Sequence, residues 1–286
     1  GILSVIGSDI PANDGVFRRI QIKMGKNRVV GESEHPVSMS VATTNICERV
    51  ICMSGAILAG LGEEYGIAEH GYAGSYAHAV ISGRDPRRNG APYVNQLCNG
   101  AAGAGATCGY DGWLSIGAAS SAGIMSMDSV EMSELKYPIL IKSRSILQDS
   151  QGFGRWCGSP GKRVELMQRF AEGSWIARND GHFNPAKGIH GGGAGKPSKM
   201  YIVEVEHSSH MWNVDTRVYR DQKPHINGQV ILQPETRIIV SEGNGGGGYG
   251  DPLERDPERV RRDAREGWIS LETARDVFGV VLNTEP

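Results

Sequence analysis

The spacing of apolar and polar positions divides the chain into stretches of different texture. Val16, Arg18, Ile20, Gln21, Ile22, Lys23 and Met24 come close to a period of two, which predicts a strand over 16–24. From about Val41 to Leu61 the step lengthens. Ile46, Val50, Met53, Ile57 and Leu61 recur every three or four residues while Thr44, Glu48 and Arg49 fall elsewhere, so a long helix is expected, stopped by Gly60 and Gly62. Residues 70–126 carry little charge and no period. Their extreme is Asn99-Gly-Ala-Ala-Gly-Ala-Gly-Ala-Thr-Cys-Gly-Tyr-Asp-Gly112, a composition that suits close backbone packing or a loop around a ligand.

Beyond Glu131 the pattern turns to short apolar runs at strand length: Ile139–Leu147, Arg163–Phe170, Ser174–Arg178, Lys199–Val205 and Arg237–Val240, with glycines and Asn227-Gly228 between them. These predict an antiparallel sheet or sandwich over about 131–245. The tail differs again. Asp256-Pro257-Glu258 opens a helix with an Asp cap and Pro in the first turn, Gly267 ends it, and Ser270 caps a second short helix through Val277. The expected fold class is therefore α+β: an α/β portion over 1–130, an antiparallel β-rich, sandwich-like portion over 131–250, and a helical tail over 251–286.

Charge and composition then narrow the function classes. Lys+Arg total 30 against 32 Asp+Glu, so the net charge of −2 offers no electrostatic footprint for nucleic acid or an anionic membrane. The most apolar stretch, Ile51–Gly62, is too short to span a bilayer and is flanked by charge, so no membrane partner is expected. Five cysteines without a C-x-x-C pair predict neither a disulfide framework nor a zinc ribbon, and a reducing cytoplasm is the expected location. Gly1 in place of Met, with no basic n-region, predicts a chain entered in mid-element. Glycine is the anomaly, with 40 residues, roughly double the average usage of about 7%.

Several motifs look like sites and fail on inspection. Gly243-Asn-Gly245-Gly-Gly-Gly248 satisfies G-x-G-x-x-G, but Tyr249-Gly-Asp-Pro252 stands where a helix should open on pyrophosphate. Gly195-Lys196 lacks the earlier glycine of a phosphate loop, His190 being there instead, and Pro197 replaces the magnesium-binding hydroxyl. His190-Gly-Gly-Gly193 resembles an oxyanion loop without a G-x-S-x-G elbow to serve. The eight histidines, including His70 and His78 beside the small-residue stretch, show no zinc-site spacing.

The order of segments carries more. Gly245-Gly-Gly-Gly-Tyr-Gly-Asp-Pro-Leu-Glu-Arg-Asp-Pro-Glu-Arg-Val260 and the tail through Val281 resemble, nearly residue for residue, the end of the hydantoinase B/oxoprolinase family. Asp9-Ile-Pro-Ala-Asn-Asp-Gly-Val-Phe-Arg18, the Gly/Ala loop ending in Asp111-Gly112, Glu134–Pro138, Asp149–Arg155 and Gly188–Gly195 resemble it in the same order. The resemblance is to the C-terminal half of that family. It implies part of a catalytic subunit of an ATP-dependent hydrolase of cyclic amides such as hydantoins, 5-oxoproline or lactams. An ATP-dependent ketone carboxylase of the acetone or acetophenone type is the alternative, and a non-catalytic assembly module is a further one. The chemistry implied is phosphorylation of an amide or enolate oxygen, which turns it into a leaving group.

The same resemblance implies partners: the N-terminal half as a separate chain and a hydantoinase A-type ATP-binding subunit, with a small-molecule substrate. ATP and Mg are expected on the partner, and a divalent metal in the missing N-terminal half, so no cofactor or metal ligand is assigned to this chain. Asp9, Asn13, Arg18 and Asp111 are the candidate site residues, each in a Gly-containing segment of family resemblance where an oriented polar group could bind substrate or a phosphorylated intermediate. The alternative for these residues is local: Asp9 and Asn13 cap turns and Asp111 precedes a turn glycine.

Overall fold

The computed structural model describes residues 11, 13–26, 31–32, 34–36, 43–72, 76–100, 102–116, 126–178, 180–205, 214–219 and 227–282. In chain order the main elements are helix α1 (Asp14–Phe17), strands β1 (Gly25–Lys26) and β2 (Gly31–Glu32), helix α2 (Thr43–Ile57), strands β3 (Val80–Asp85) and β4 (Ala91–Gln96), and helix α3 (Val130–Lys136). Strands β5 (Ile139–Ile146), β6 (Lys162–Gln168), β7 (Gly173–Arg178), β8 (Lys199–Glu204), β9 (Asn227–Leu232) and β10 (Arg237–Glu242) follow, then helices α4 (Pro257–Arg265) and α5 (Leu271–Asp276). The fold is α+β, with antiparallel sheets and short C-terminal helices.

Two four-stranded sheets, ordered β5-β6-β10-β8 and β4-β3-β7-β9, pack face to face. Alternation puts Ile139, Ile141, Val164, Leu166, Met200 and Ile239 of the first sheet against Ile81, Trp175, Ala177 and Leu232 of the second. Trp175 is fully buried and its indole N–H donates to Gln168 Oε1 at 2.8 Å, so the one polar atom of the ring is satisfied inside the core. The opposite face of the first sheet carries a second apolar cluster, Leu140, Met167, Tyr201, Val203, Ile238 and Val240. Beside it lies a buried ionic group in which Arg163 meets Glu165, Glu242, Tyr201 and Thr216.

Glycine explains how the rest of the chain joins this sandwich. Gly246, Gly247 and Gly248 send their N–H groups to Ser159, Glu69 and Gly193 in turn, and their carbonyls accept from Gly152, Ala106 and Ile189. The bonds go to a new neighbour at each residue, so surrounding chain satisfies the backbone groups of this buried segment. Six contacts at this range leave no room for side chains: a Cβ on Gly246 would overlap the Ala104 carbonyl, and one on Gly247 that of Lys187. The segment 243–250, read as a failed nucleotide motif, is thus the axle on which loops 102–106, 150–159 and 186–195 are mounted.

The structure departs from the sequence expectations in three places. Where a strand was expected over 16–24, Asp14–Phe17 form one helical turn, α1, capped by Asn13, whose side chain accepts from Gly15 N at 3.0 Å, and the predicted strand does not form: Phe17, Ile22 and Met24 are exposed, with no described strand paired with them. Strands β3, β4 and β9 lie in stretches where glycine, Pro92 and polar residues hid the period, and β3 and β4 complete a sheet with β7 and β9. Helix α2 forms as expected and Gly62 ends its 3-10 extension at φ 141°, but it buries Glu48 and Cys52 while exposing Met53, Ile57 and Leu61.

Candidate functional site

The loop 97–113 leaves strand β4, runs along the glycine axle and turns back at Gly109, whose φ is 87°. Its first residues continue the β3–β4 ladder, Leu97 N donating to Ala79 O and Asn99 N to Ala77 O, both at 2.9 Å. This pairing sets His78 beside Gly100, where a Cβ would meet the imidazole Cε1 at 2.9 Å. Both ring nitrogens of His78 are shut off from solvent without a hydrogen-bond partner, as is the Asn99 side-chain oxygen. Asn99 itself is fully buried, and its amide nitrogen reaches Ser133 Oγ only at 3.5 Å. Burial pulls the His78 pKa down to about 4, against the opposing pull of Asp128, so the ring is neutral at pH 7. Asp128 in turn accepts from Cys98 N at 2.8 Å. Farther along, His70 Nδ1 accepts from Gly105 N at 2.9 Å, and burial lowers its pKa as well.

At the other end of the loop Asp111 is fully engaged. Its Oδ1 accepts from Cys157 N and Arg255 Nη1, both at 2.7 Å, and its Oδ2 from Arg255 Nη2 at 3.0 Å and Arg259 Nη1 at 2.9 Å. Arg255 also reaches Asp263 Oδ2 at 2.6 Å, and its side chain is almost wholly buried. Burial would raise the Asp111 carboxyl, but the hydrogen bonds and charge of Arg255, with help from Cys157 N and Arg259, hold it below the usual range. For Asp263 burial prevails and the carboxyl is raised. Burial pushes the neighbouring Cys157 thiol up to about 12, so it stays protonated.

The four sequence candidates are placed unequally. Asp9 lies outside the described residues. Asn13 and Arg18 share the exposed turn of α1, Asn13 as its cap and Arg18 paired with Asp14 at 2.6 Å. Asp111 sits in the arginine cluster, whose contacts include neither of these. Sequence reasoning did not single out His78 and Asn99, because only the continued β3–β4 ladder buries each of them with polar atoms unpaired. It missed Arg255, Arg259 and Asp263 because a charged helical tail reads as a solvated face. Among the described residues no three His, Cys, Asp or Glu side chains converge as a metal site. No described helix is long and apolar enough to cross a membrane.

Comparison with known proteins follows the same outline. Caprolactamase subunit beta of Pseudomonas jessenii is 29% identical over 276 residues, 96% of this chain and 45% of that protein. The crystal structure of ATP-dependent caprolactamase from Pseudomonas jessenii superposes with a TM-score of 0.75 at 26% identity, over 97% of this chain and 46% of that one. The acetone carboxylase alpha subunit of Xanthobacter autotrophicus is 25% identical over 212 residues, 66% of this chain and 27% of that protein. The chain therefore spans less than half the length of these relatives. The sequence pattern of hydantoinase B/oxoprolinase matches residues 1–252, most of the chain, and the chain belongs to the hydantoinase B/oxoprolinase family.

Proposed function

We propose that this chain is part of a hydantoinase B-type catalytic subunit in an ATP-dependent cyclic-amide hydrolase, inactive alone and acting with a hydantoinase A-type ATP-binding partner in the cytoplasm. The observation that carries this is its likeness, in sequence and in fold along nearly its whole length, to an ATP-dependent caprolactamase subunit. The other part of the catalytic subunit is a polypeptide matching the remainder of that relative. ATP and Mg are bound by the ATP-binding partner, and a divalent metal, where one serves, by that other part.

Chemically, a lactam is a poor electrophile because nitrogen donates into its carbonyl; phosphoryl transfer from ATP to the amide oxygen gives an imidate phosphate and ADP. Water adds to the imidate carbon, expulsion of the protonated ring nitrogen breaks the C–N bond to leave an acyl phosphate, and a second water releases phosphate from the ring-opened acid. This chain's part is recognition and support. A secondary amide carries one N–H donor and one carbonyl acceptor, the complement of the unpartnered Asn99 oxygen and a neutral His78 N–H. Asp9, Asn13 and Arg18 are further groups proposed to meet substrate or a phosphorylated intermediate. Asp111, with both oxygens taken, is proposed as a positioning residue that holds the loop. A second reading, an ATP-dependent ketone carboxylase subunit, is favoured by the likeness to the acetone carboxylase alpha subunit.

The two readings part on bicarbonate. The assembled complex, its chains identified by mass spectrometry, is assayed with ATP against caprolactam, hydantoin, 5-oxoproline, acetone and acetophenone. Ring-opened product without bicarbonate supports the hydrolase, bicarbonate-dependent C–C bond formation supports the carboxylase, and a complex lacking an ATP-binding chain overturns both.

A further inference from the structure

Helix α2, its 3-10 extension and the turn after it expose a series of large apolar side chains. Met53, Ile57, Leu61 and Tyr65 recur every fourth residue and are 52%, 67%, 61% and 42% exposed. The inward side of the same helix is small or polar: Glu48 and Cys52 are buried, and Gly55 lets Ile67 approach and donate its N–H to the Gly55 carbonyl at 3.1 Å. The row does not end at Tyr65. Thr107 pairs with Ile67 and with Tyr110, and its hydroxyl reaches the Gly66 carbonyl at 3.4 Å, so the turn carrying Tyr110, itself 72% exposed, adjoins the row's end. An amphipathic helix of a finished fold turns such a face to the core, and a contiguous apolar patch left outside marks an interface.

We infer that this row is the docking surface for the polypeptide that supplies the other part of the catalytic subunit. The occupant follows from length. A relative with the same fold over 97% of this chain has more than half of its own chain outside the matched region, polypeptide enough to cover an exposed apolar face of the shared portion. Exposed Glu63 and Glu64 border the row, so the facing surface is apolar with basic residues at that edge. This inference rests on the two-part subunit proposed above.

The test uses the assembled complex with the photo-crosslinking residue p-benzoylphenylalanine at Ile57, and at Arg261, on the exposed side of α4, as the control position. Crosslinked peptides from position 57 are expected to map to sequence matching the part of caprolactamase subunit beta not covered by this chain, at least tenfold above those from position 261. Peptides from a second copy of this chain or from the ATP-binding subunit would overturn the inference, as would a yield no higher than the control. Ile57→Asp is expected to lower recovery of that polypeptide in the complex at least tenfold; unchanged recovery counts against the surface. Crosslinking needs no turnover, so a complex that crosslinks as expected yet opens no lactam keeps this surface while losing the proposed activity.

Discussion

Arg255 grips Asp111 across 144 positions of sequence, Nη1 to Oδ1 at 2.7 Å and Nη2 to Oδ2 at 3.0 Å, and so fastens the C-terminal tail to the loop beside the glycine axle. The pair stands in for covalent closure: with it, Val260, Ile269, Ala274 and Phe278 can settle on Cys157 as a small core of their own. Removing the charge of Asp111 leaves buried Arg255 with Asp263 as its remaining counter-ion. Asp111→Asn is expected to destabilise the chain by about 3 kcal/mol. Arg259→Ala, which deletes the more exposed arginine of the same cluster, is expected to cost less than about 1 kcal/mol. Denaturant midpoints of the two variants check the order, and equal losses would mean that Arg255 is not the anchor.

His78 makes stability depend on pH in a defined direction. Its folded pKa of about 4 lies below the ordinary 6.5, so between these values the unfolded chain binds a proton that the folded one refuses. Stability therefore falls as pH drops through this window, by about 3 kcal/mol in all, and is level above it. His70, also lowered by burial, acts in the same sense. The difference between the parent chain and His78→Leu isolates one ring: the variant should lose part of the slope between pH 6.5 and 4 in denaturant titrations, with no loss of stability at pH 7.

In the assembled complex the same His78→Leu change tests amide recognition. Loss of a hydrogen bond to the substrate carbonyl should lower kcat/KM at least about tenfold. A variant with unaltered kinetics would remove His78 from the site while leaving its role in acid sensitivity intact.

The glycine axle predicts a sharp contrast between two alanine substitutions. Gly246→Ala drives a methyl group into the Ala104 carbonyl with backbone on every side, and should cost about 4 kcal/mol or more, enough to abolish cooperative folding. Gly60→Ala meets nothing within 4 Å and should stay within about 0.5 kcal/mol of the parent. Thermal melts followed by circular dichroism decide it.

Much of the fold was legible where a single local rule governs. The caps Asp256 and Ser270, the stop at Gly62 and the five strands from Ile139 to Val240 all announce themselves in composition and period. What was hidden depends on distant partners. Val80–Asp85 becomes a strand because β4 and β7 flank it, although Gly83 and Arg84 break its apolar alternation. The row Met53–Ile57–Leu61 has the spacing of a core face and is exposed, because what decides burial is the surface opposite, and period alone does not reveal whether that surface is present. Family resemblance pointed to the right glycine blocks without saying that they touch. The site was least legible of all: His78 and Asn99 gain meaning only when the continued ladder buries each of them with polar atoms unpaired, and Arg255 only when Asp111 is found bonded to it.

Coupling of ATP to amide cleavage is the activity this chain is proposed to serve. The most direct measurement is ATP consumed against ring-opened amino acid released from caprolactam or 5-oxoproline, in the complete complex without bicarbonate and again with this chain omitted. Both products are expected to form in a fixed ratio, and both to vanish when the chain is left out. Ring opening without ATP, or coupled turnover at an unchanged rate in the chain's absence, would contradict the proposed activity.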